Sequence, residues 1–220
     1  PGDPELLTLK AVKALQMADV VPYDALANPA LLDYVPEEIP RVYVGKRARR
    51  HSIQQKQINE LLVEYAHSHG TVLRLKGGDP LIFGRAEEEL ETARAAGIPV
   101  EIIPGISAFQ AASAHLQQPL TKRGGAAGFT LVTGACKEAT LHPAVLEALD
   151  GPLEAPVVVY MGVRQLRPIS EYLVRQGRGH VPVRLLENAS LPTARSLSAP
   201  AWQAPQLAED VTGPALLIVG

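Results

Sequence analysis

The sequence predicts an α/β protein in two halves, and three observations predict it. Strand-like runs alternate with helix-like runs through the first half; Gly- and Pro-rich loops follow the strand-like runs; and large apolar residues become scarce between residues 117 and 128. Residues 5–17 carry Leu6, Leu7, Leu9, Val12, Leu15 and Met17 at helical spacing, with Asp3 placed as a cap. Asp19-Val20-Val21-Pro22-Tyr23-Asp24 predicts a short strand ending at Asp24, and Arg41-Val42-Tyr43-Val44 a second, ended by Gly45-Lys46. A helix is expected over 54–67, where Ile58, Leu61, Leu62 and Tyr65 share a side. Thr71-Val72-Leu73-Arg74-Leu75 reads as a buried strand, 87–96 as a helix, Val100-Glu101-Ile102-Ile103 as a strand ending at Pro104-Gly105, and 107–116 as a helix. This alternation points to a mostly parallel sheet with helices on its faces.

The composition shift places a domain boundary within 117–128, giving halves 1–121 and 122–220. Beyond it, strands are expected at 129–133, 157–161, 181–186 and 215–219, and helices at 143–149 and 166–176. No fixed short repeat appears, which argues against a solenoid.

Composition excludes several classes of function. The 220 residues contain one Cys, so a disulfide scaffold or Cys-rich zinc site is ruled out, and a reducing cytoplasm is the compartment that fits. The apolar runs fall far short of the ~20 residues of a membrane span, and no basic-then-apolar leader opens the sequence. With 21 Lys+Arg against 23 Asp+Glu the formal charge is -2, which does not suit a nucleic-acid binder. The six His lack metal-ligand spacing, so no metal is expected.

The residues with chemical potential lie where parallel strands end, the edge at which open α/β sheets bind ligands. Asp24, Gly45-Lys46, Gly77-Gly78-Asp79 and Pro104-Gly105 each follow an expected strand, so four loops converge on one edge. Glycines there let backbone groups approach a ligand, and Asp79 offers an acceptor, which suits an adenosine-bearing cofactor. Gly-Gly-Asp-Pro alone is a turn sequence, and the spacing of the loops carries the signal. Lys76 precedes its glycines and no Gly-Lys-Ser/Thr follows, so this is not a phosphate-binding P-loop. The Gly-x-Gly-x-x-Gly of dinucleotide binders is also missing, which disfavours a nicotinamide-dependent oxidoreductase.

The ordered segments Pro1-Gly2-Asp3-Pro4-Glu5-Leu6-Leu7, Val44-Gly45-Lys46-Arg47, Gln57-Ile58-Asn59, Arg74-Leu75-Lys76-Gly77-Gly78-Asp79-Pro80-Leu81-Ile82-Phe83-Gly84-Arg85, Pro104-Gly105-Ile106-Ser107-Ala108, Pro119-Leu120-Thr121, Tyr160-Met161-Gly162 and Glu187-Asn188-Ala189-Ser190 resemble the tetrapyrrole methylases. Within that family they are similar to the branch that C-methylates uroporphyrinogen III. The resemblance implies two α/β domains with S-adenosylmethionine in the cleft between them, a homodimer, and transfer of two methyl groups to pyrrole carbons, giving precorrin-2 and S-adenosylhomocysteine. It assigns Pro1, Gly77, Gly78, Asp79, Ile82, Ser107, Ala108, Met161 and Ala189 to the cofactor, Asp24 and Lys46 to proton acceptance and donation, and Arg85, Glu88 and Arg123 to the substrate, Arg85 counting also among the catalytic residues. It also implies a strand and Gly-rich turn ahead of Pro1. Rival readings are a later precorrin methyltransferase, the family's diphthine-synthesis branch, and a catalytically silent cofactor-binding module.

Elementary chemistry is consistent with those roles. A sulfonium is already electrophilic, so the protein has chiefly to align the methyl with an electron-rich carbon, and no metal is needed. Each methylation releases a proton, which gives a carboxylate such as Asp24 work as a base. Arg85 and Arg123 offer bidentate pairing to the carboxylates of the macrocycle. Blander readings stand beside these: Asp24 as a cap, the basic run from Lys46 to His51 as a solvated surface, Glu87-Glu88-Glu89 as an acidic first helical turn, and Met161 as core filler. Arg49, Lys122 and the loose run 124–128 depart from the family pattern on the substrate side.

Overall fold

The computed structural model describes residues 2–45, 54–135, 141–209 and 211–220, and contacts divide the chain into two units, Pro1–Ser107 and Ala108–Gly220. The division falls ahead of the composition shift. Ala112 and Leu120, on either side of residue 117, pack with Val158, Leu186, Leu216 and Ile218 of the second unit, so buried contacts place that stretch there.

In the first unit, Asp3 caps a short 3-10 turn, Pro4–Leu6, by accepting the Glu5 N–H at 2.8 Å. The helix α1 (Leu9–Met17) starts later than expected because Thr8 supplies its own cap, accepting the Ala11 N–H at 3.2 Å. Leu15 is fully buried, whereas Leu9 and Met17 face outward. Strands β1 (Val21–Tyr23) and β2 (Arg41–Tyr43) pair in parallel, with a 3-10 segment, Pro29–Tyr34, between them that the sequence reading did not anticipate. Helices α2 (Gln55–His69) and α3 (Ala86–Ala95) fall close to their expected ranges. The core of this unit gathers Leu15, Val21, Ala27, Leu31, Val35 and Leu75.

Residues 71–75, expected as a strand, lie parallel to β1 but join it through two isolated bridges, Val20 with Val72 and Tyr23 with Leu75. The run 100–103 forms no strand either. Among the described residues neither run has a continuous ladder partner, which accounts for both differences. A cavity of about 800 Å³ is lined by both runs and by Leu15 and Ala93.

The second unit follows its expected ranges closely and adds a strand, Arg195–Pro200, that the sequence reading did not include. After α4 (Ala108–His115) come β3 (Thr130–Thr133), α5 (Pro143–Asp150), β4 (Val157–Tyr160), α6 (Leu166–Arg175), β5 (Pro182–Glu187), β6 (Arg195–Pro200) and β7 (Ala215–Val219). The sheet order is β3-β4-β7-β5-β6. β3 and β4 are parallel, while β7 runs antiparallel to both β4 and β5, and β6 runs antiparallel to β5, so the sheet is mixed. One consequence matters for the site: β3, β4 and β5 all point the same way and end at one edge. Val145, Leu149, Ile169, Leu173, Leu185 and Leu217 are fully buried on one face, and α4 packs on the other through Ala112.

Candidate active site

Close packing of loop on loop in the first unit brings its loops into a row, and glycines make each close approach. A Cβ on Gly45 would stand 2.9 Å from the Ala25 nitrogen, one on Gly77 2.7 Å from the Leu26 oxygen, and one on Gly105 2.5 Å from the Gly78 oxygen. Loops 24–26, 44–45, 77–79 and 104–105 are thus neighbours, as the sequence spacing predicts. Gly78 has a φ of +81°, a conformation that glycine adopts without penalty. Asp79 pins the row: its Oδ1 accepts the Leu81 N–H at 2.9 Å and its Oδ2 the Gly105 N–H at 3.0 Å.

Beyond Asp79 the chain stays tightly wound. Ile82 N–H donates to the Asp79 carbonyl at 3.3 Å, and Phe83 and Arg85 both take left-handed φ values, 51° and 56°. Such residues cost on the order of 1 kcal/mol or more each and cluster at functional sites. The turn points Arg85 outward at the start of α3, where its guanidinium forks onto Glu88 with two bonds of 2.7 Å. That pairing holds the Glu88 carboxyl below the usual carboxylate range and raises the arginine further. Both side chains are about half exposed, so the pair adds little stability.

Asp24 sits deeper. Its Oδ1 accepts the Leu26 N–H at 3.0 Å, and its Oδ2 accepts from Arg74 Nη2 at 2.8 Å. Arg74 also reaches Glu89 at 3.3 Å, and Lys76 Nζ reaches the other Glu89 oxygen at 2.6 Å. The side chains of this chain of four charges are only 10–24% exposed.

In the second unit three loops share one edge. Gly134 follows β3, Met161 follows β4, and Asn188-Ala189-Ser190 follows β5. Met161, Asn188 and Ser190 have positive φ values of 52°, 53° and 68°, the local strain expected of a ligand edge. The Tyr160 hydroxyl accepts the Phe109 N–H at 3.0 Å, which brings the start of α4, with Ala108, to the end of β4. Glu187 anchors the third loop: buried, it accepts from Gly213 N–H at 2.6 Å, Thr212 N–H at 2.8 Å and Arg195 Nε at 2.5 Å.

The sequence profile of the Tetrapyrrole (Corrin/Porphyrin) Methylases matches residues 1–204. The chain belongs to this family. Among tetrapyrrole methylases of known structure, the uroporphyrin-III C-methyl transferase of Thermus thermophilus, complexed with S-adenyl homocysteine, is similar with a TM-score of 0.84 and 38% identity, over 100% of this chain and 93% of that one. The cobalt precorrin-4 methyltransferase CbiF shares the fold, with a TM-score of 0.85 at 21% identity over 100% of this chain and 91% of that one. Siroheme synthases of Tolumonas auensis and Zymomonas mobilis are 42% and 41% identical over 100% of this chain. The chain spans about half the length of those relatives, 47% and 46%.

In the first unit of this tetrapyrrole methylase Asp24 is bonded to Arg74, Gly77-Gly78-Asp79 lie against residues 26 and 105, Ile82, Arg85 and Glu88 follow on the next turn and the start of α3, and the buried Ser107 is the last residue of the unit. Ala108, Met161 and Ala189 share the edge of the second unit, and Arg123 is exposed on a turn closed by the Lys122 N–H donating to the Ala126 carbonyl at 2.8 Å. Pro1 and Lys46 lie outside the described residues. The sequence reading gave no role to Arg74, Lys76, Glu89, Glu187 or Gln165, whose buried Oε1 has no hydrogen-bond partner among the described residues. One signal was available: Arg74 and Lys76 alternate about buried Leu75, so two cations share a side and call for buried anions.

Glu187 gives a pH prediction. The Gly213 N–H above all, then Arg195 and the Thr212 N–H, hold its carboxyl below the ordinary value of 4.5. A folded-state value below the unfolded one means stabilisation that is complete above 4.5 and lost as pH falls through that value toward the folded one. Thermal melts should therefore show Tm dropping below pH 4.5, and Glu187→Gln should flatten that limb; an unchanged limb would assign the acid sensitivity elsewhere.

Proposed function

We propose that this tetrapyrrole methylase carries out the S-adenosylmethionine-dependent C-methylation of uroporphyrinogen III at two pyrrole carbons, C-2 and C-7, giving precorrin-2 and S-adenosylhomocysteine on a route to sirohaem or cobalamin, and that it works as a homodimer in the cytoplasm. The observation that carries this reading is the glycine-spaced row of loops, with Asp79 closing Gly77-Gly78 onto Gly105. The likeness to the Thermus thermophilus enzyme complexed with S-adenyl homocysteine supports it.

The residues present fit such a cofactor. The cradle at Gly77 and Gly105 has no room for a Cβ, so backbone N–H and C=O groups form its surface. Gln165 supplies a buried acceptor, without a partner among the described residues, close to Gly134 and suited to an amino group. When bound, S-adenosylmethionine supplies an electrophilic sulfonium methyl. Gly77, Gly78, Asp79, Ile82, Ser107, Ala108, Met161 and Ala189, with Pro1, would hold it.

The chain's own residues then have defined work. Asp24 Oδ1 and Oδ2 each keep a free lone pair beside their existing bonds, so the carboxylate can take the proton that leaves the macrocycle after each methyl transfer. Lys46 is the candidate donor. Glu88 already holds the Arg85 fork in the geometry a carboxylate requires, so a substrate carboxylate can replace it without reshaping the arginine. Arg123 offers a second such contact.

Anaerobic incubation with uroporphyrinogen III and labelled S-adenosylmethionine should transfer two methyl groups per macrocycle; no transfer would overturn the reading. In the same assay Arg85→Ala should lower kcat/KM about tenfold, the worth of one exposed charge-assisted hydrogen bond. S-adenosylhomocysteine affinity by calorimetry should hold, and equal loss of both would make Arg85 part of the cofactor wall.

A further inference from the structure

Asp24, Arg74, Glu89 and Lys76 alternate in charge along one partly buried line, and Glu89 stands between the two cations. We propose that Glu89 is a positioning residue for Asp24, acting through Arg74. The inference rests on the reading of Asp24 as the base.

Arg74 is held at three points: Nη1 donates to the Leu75 carbonyl at 2.7 Å, Nε to Glu89 Oε1 at 3.3 Å and Nη2 to Asp24 Oδ2 at 2.8 Å. A planar guanidinium fixed by two of these contacts has no freedom left at the third, so Glu89 decides where Nη2 meets Asp24. Glu89 is itself fixed, by Lys76 at 2.6 Å and by Gln55 Nε2 at 3.3 Å. Gln55 in turn bonds Asn59, whose Nδ2 donates to the Glu88 carbonyl at 3.0 Å and to Thr92 at 3.2 Å. These groups of α2 and α3 are neutral; of the other two acids in the first turn of α3, Glu88 is committed to Arg85 and Glu87 is exposed. The Leu26 N–H fixes the other oxygen of Asp24.

The arrangement also balances charge. Two cations face two carboxylates in a setting where screening is weaker than in bulk water. Without the charge of Glu89, Arg74 and Lys76 would have Asp24 as their one remaining carboxylate in this line, and Arg74 would be drawn wholly to it. The guanidinium would then turn its fork onto Asp24 and occupy the carboxylate oxygens that have to meet a leaving proton. Without Lys76 the bias reverses, because Glu89 competes for Arg74 alone.

The test reads the geometry directly, in crystal structures of wild type, Glu89→Gln and Lys76→Met. In Glu89→Gln the Arg74 fork should turn onto Asp24, bringing a second guanidinium nitrogen within about 3.2 Å of its carboxylate; in Lys76→Met the fork should stay with Glu89 and the contact of Nη2 with Asp24 Oδ2 should lengthen. In the methylation assay Glu89→Gln should lower kcat on the order of tenfold with KM for the macrocycle held. In an Asp24→Asn background the same substitution should add no further loss. A guanidinium that keeps its wild-type position in both variants, or losses that add, overturn the inference. Should Glu89→Gln not fold, Lys76→Met alone decides: a lengthened contact supports the proposal and an unmoved one ends it. A wild-type chain that transfers no methyl to uroporphyrinogen III overturns the proposed function, while the structures still decide the role of Glu89.

Discussion

Asp24→Asn should lower kcat by about 10² to 10⁴, the usual worth of a positioned general base. The amide keeps the shape of the carboxylate and can still accept the Leu26 N–H, but it cannot take a proton. Its NH2 would also face the Arg74 Nη2 that now donates to Asp24 at 2.8 Å, setting donor against donor. Single-turnover methyl transfer under anaerobic conditions measures the loss. Asp24 has no part in the Asp79–Gly105 closure, so S-adenosylhomocysteine affinity should stay near wild type. A variant that turns over within about threefold of wild type would mean that Asp24 is a turn residue and that the base lies elsewhere.

The second large effect is expected from Gly105→Ala. The new Cβ would stand 2.5 Å from the Gly78 carbonyl and 3.5 Å from the Asp79 Cα, with backbone and no flexible side chain to yield. Overpacking of this kind costs about 1–3 kcal/mol, and the direct relief is to part the Gly77–Asp79 loop from residue 105. That parting breaks the 3.0 Å bond from Gly105 N–H to Asp79 and opens the proposed cofactor cradle. Calorimetry should show S-adenosylhomocysteine affinity reduced by up to about a hundredfold, the equivalent of the upper end of that strain. Gly128→Ala is the control, since a Cβ there meets nothing within 4 Å. Equal affinity in the two variants would refute the cradle.

The row of loops was legible because its residues are local. Asp24 directly follows β1 and Gly77-Gly78-Asp79 follow the run 71–75 that bridges to it, and such loops can be read from a few consecutive letters. The fold was less legible where pairing overrides pattern. Arg195-Ser196-Leu197-Ser198-Ala199-Pro200 carries weak strand propensity, yet β6 forms because β5 offers it six register partners. The direction of β7 depends on the same kind of distant pairing. The two runs at 71–75 and 100–103 show the converse, strong local propensity without a continuous ladder. Glu89 was hidden for a related reason: an acidic residue in a first helical turn looks like a dipole effect until Arg74 and Lys76, 15 and 13 positions away, are found beside it.

The common direction of β3, β4 and β5 has a practical side for protein engineering. Because all their carboxyl ends serve one edge, the turns that feed β4 and β5 lie at the opposite end of the same sheet. Gly177 on the turn before β5 has a positive φ and open space around it. A fluorophore, an affinity tag or the joint of a circular permutant placed there would leave the loops at 134, 161 and 188–190 untouched, giving a reporter of the second unit that stays clear of its candidate ligand edge.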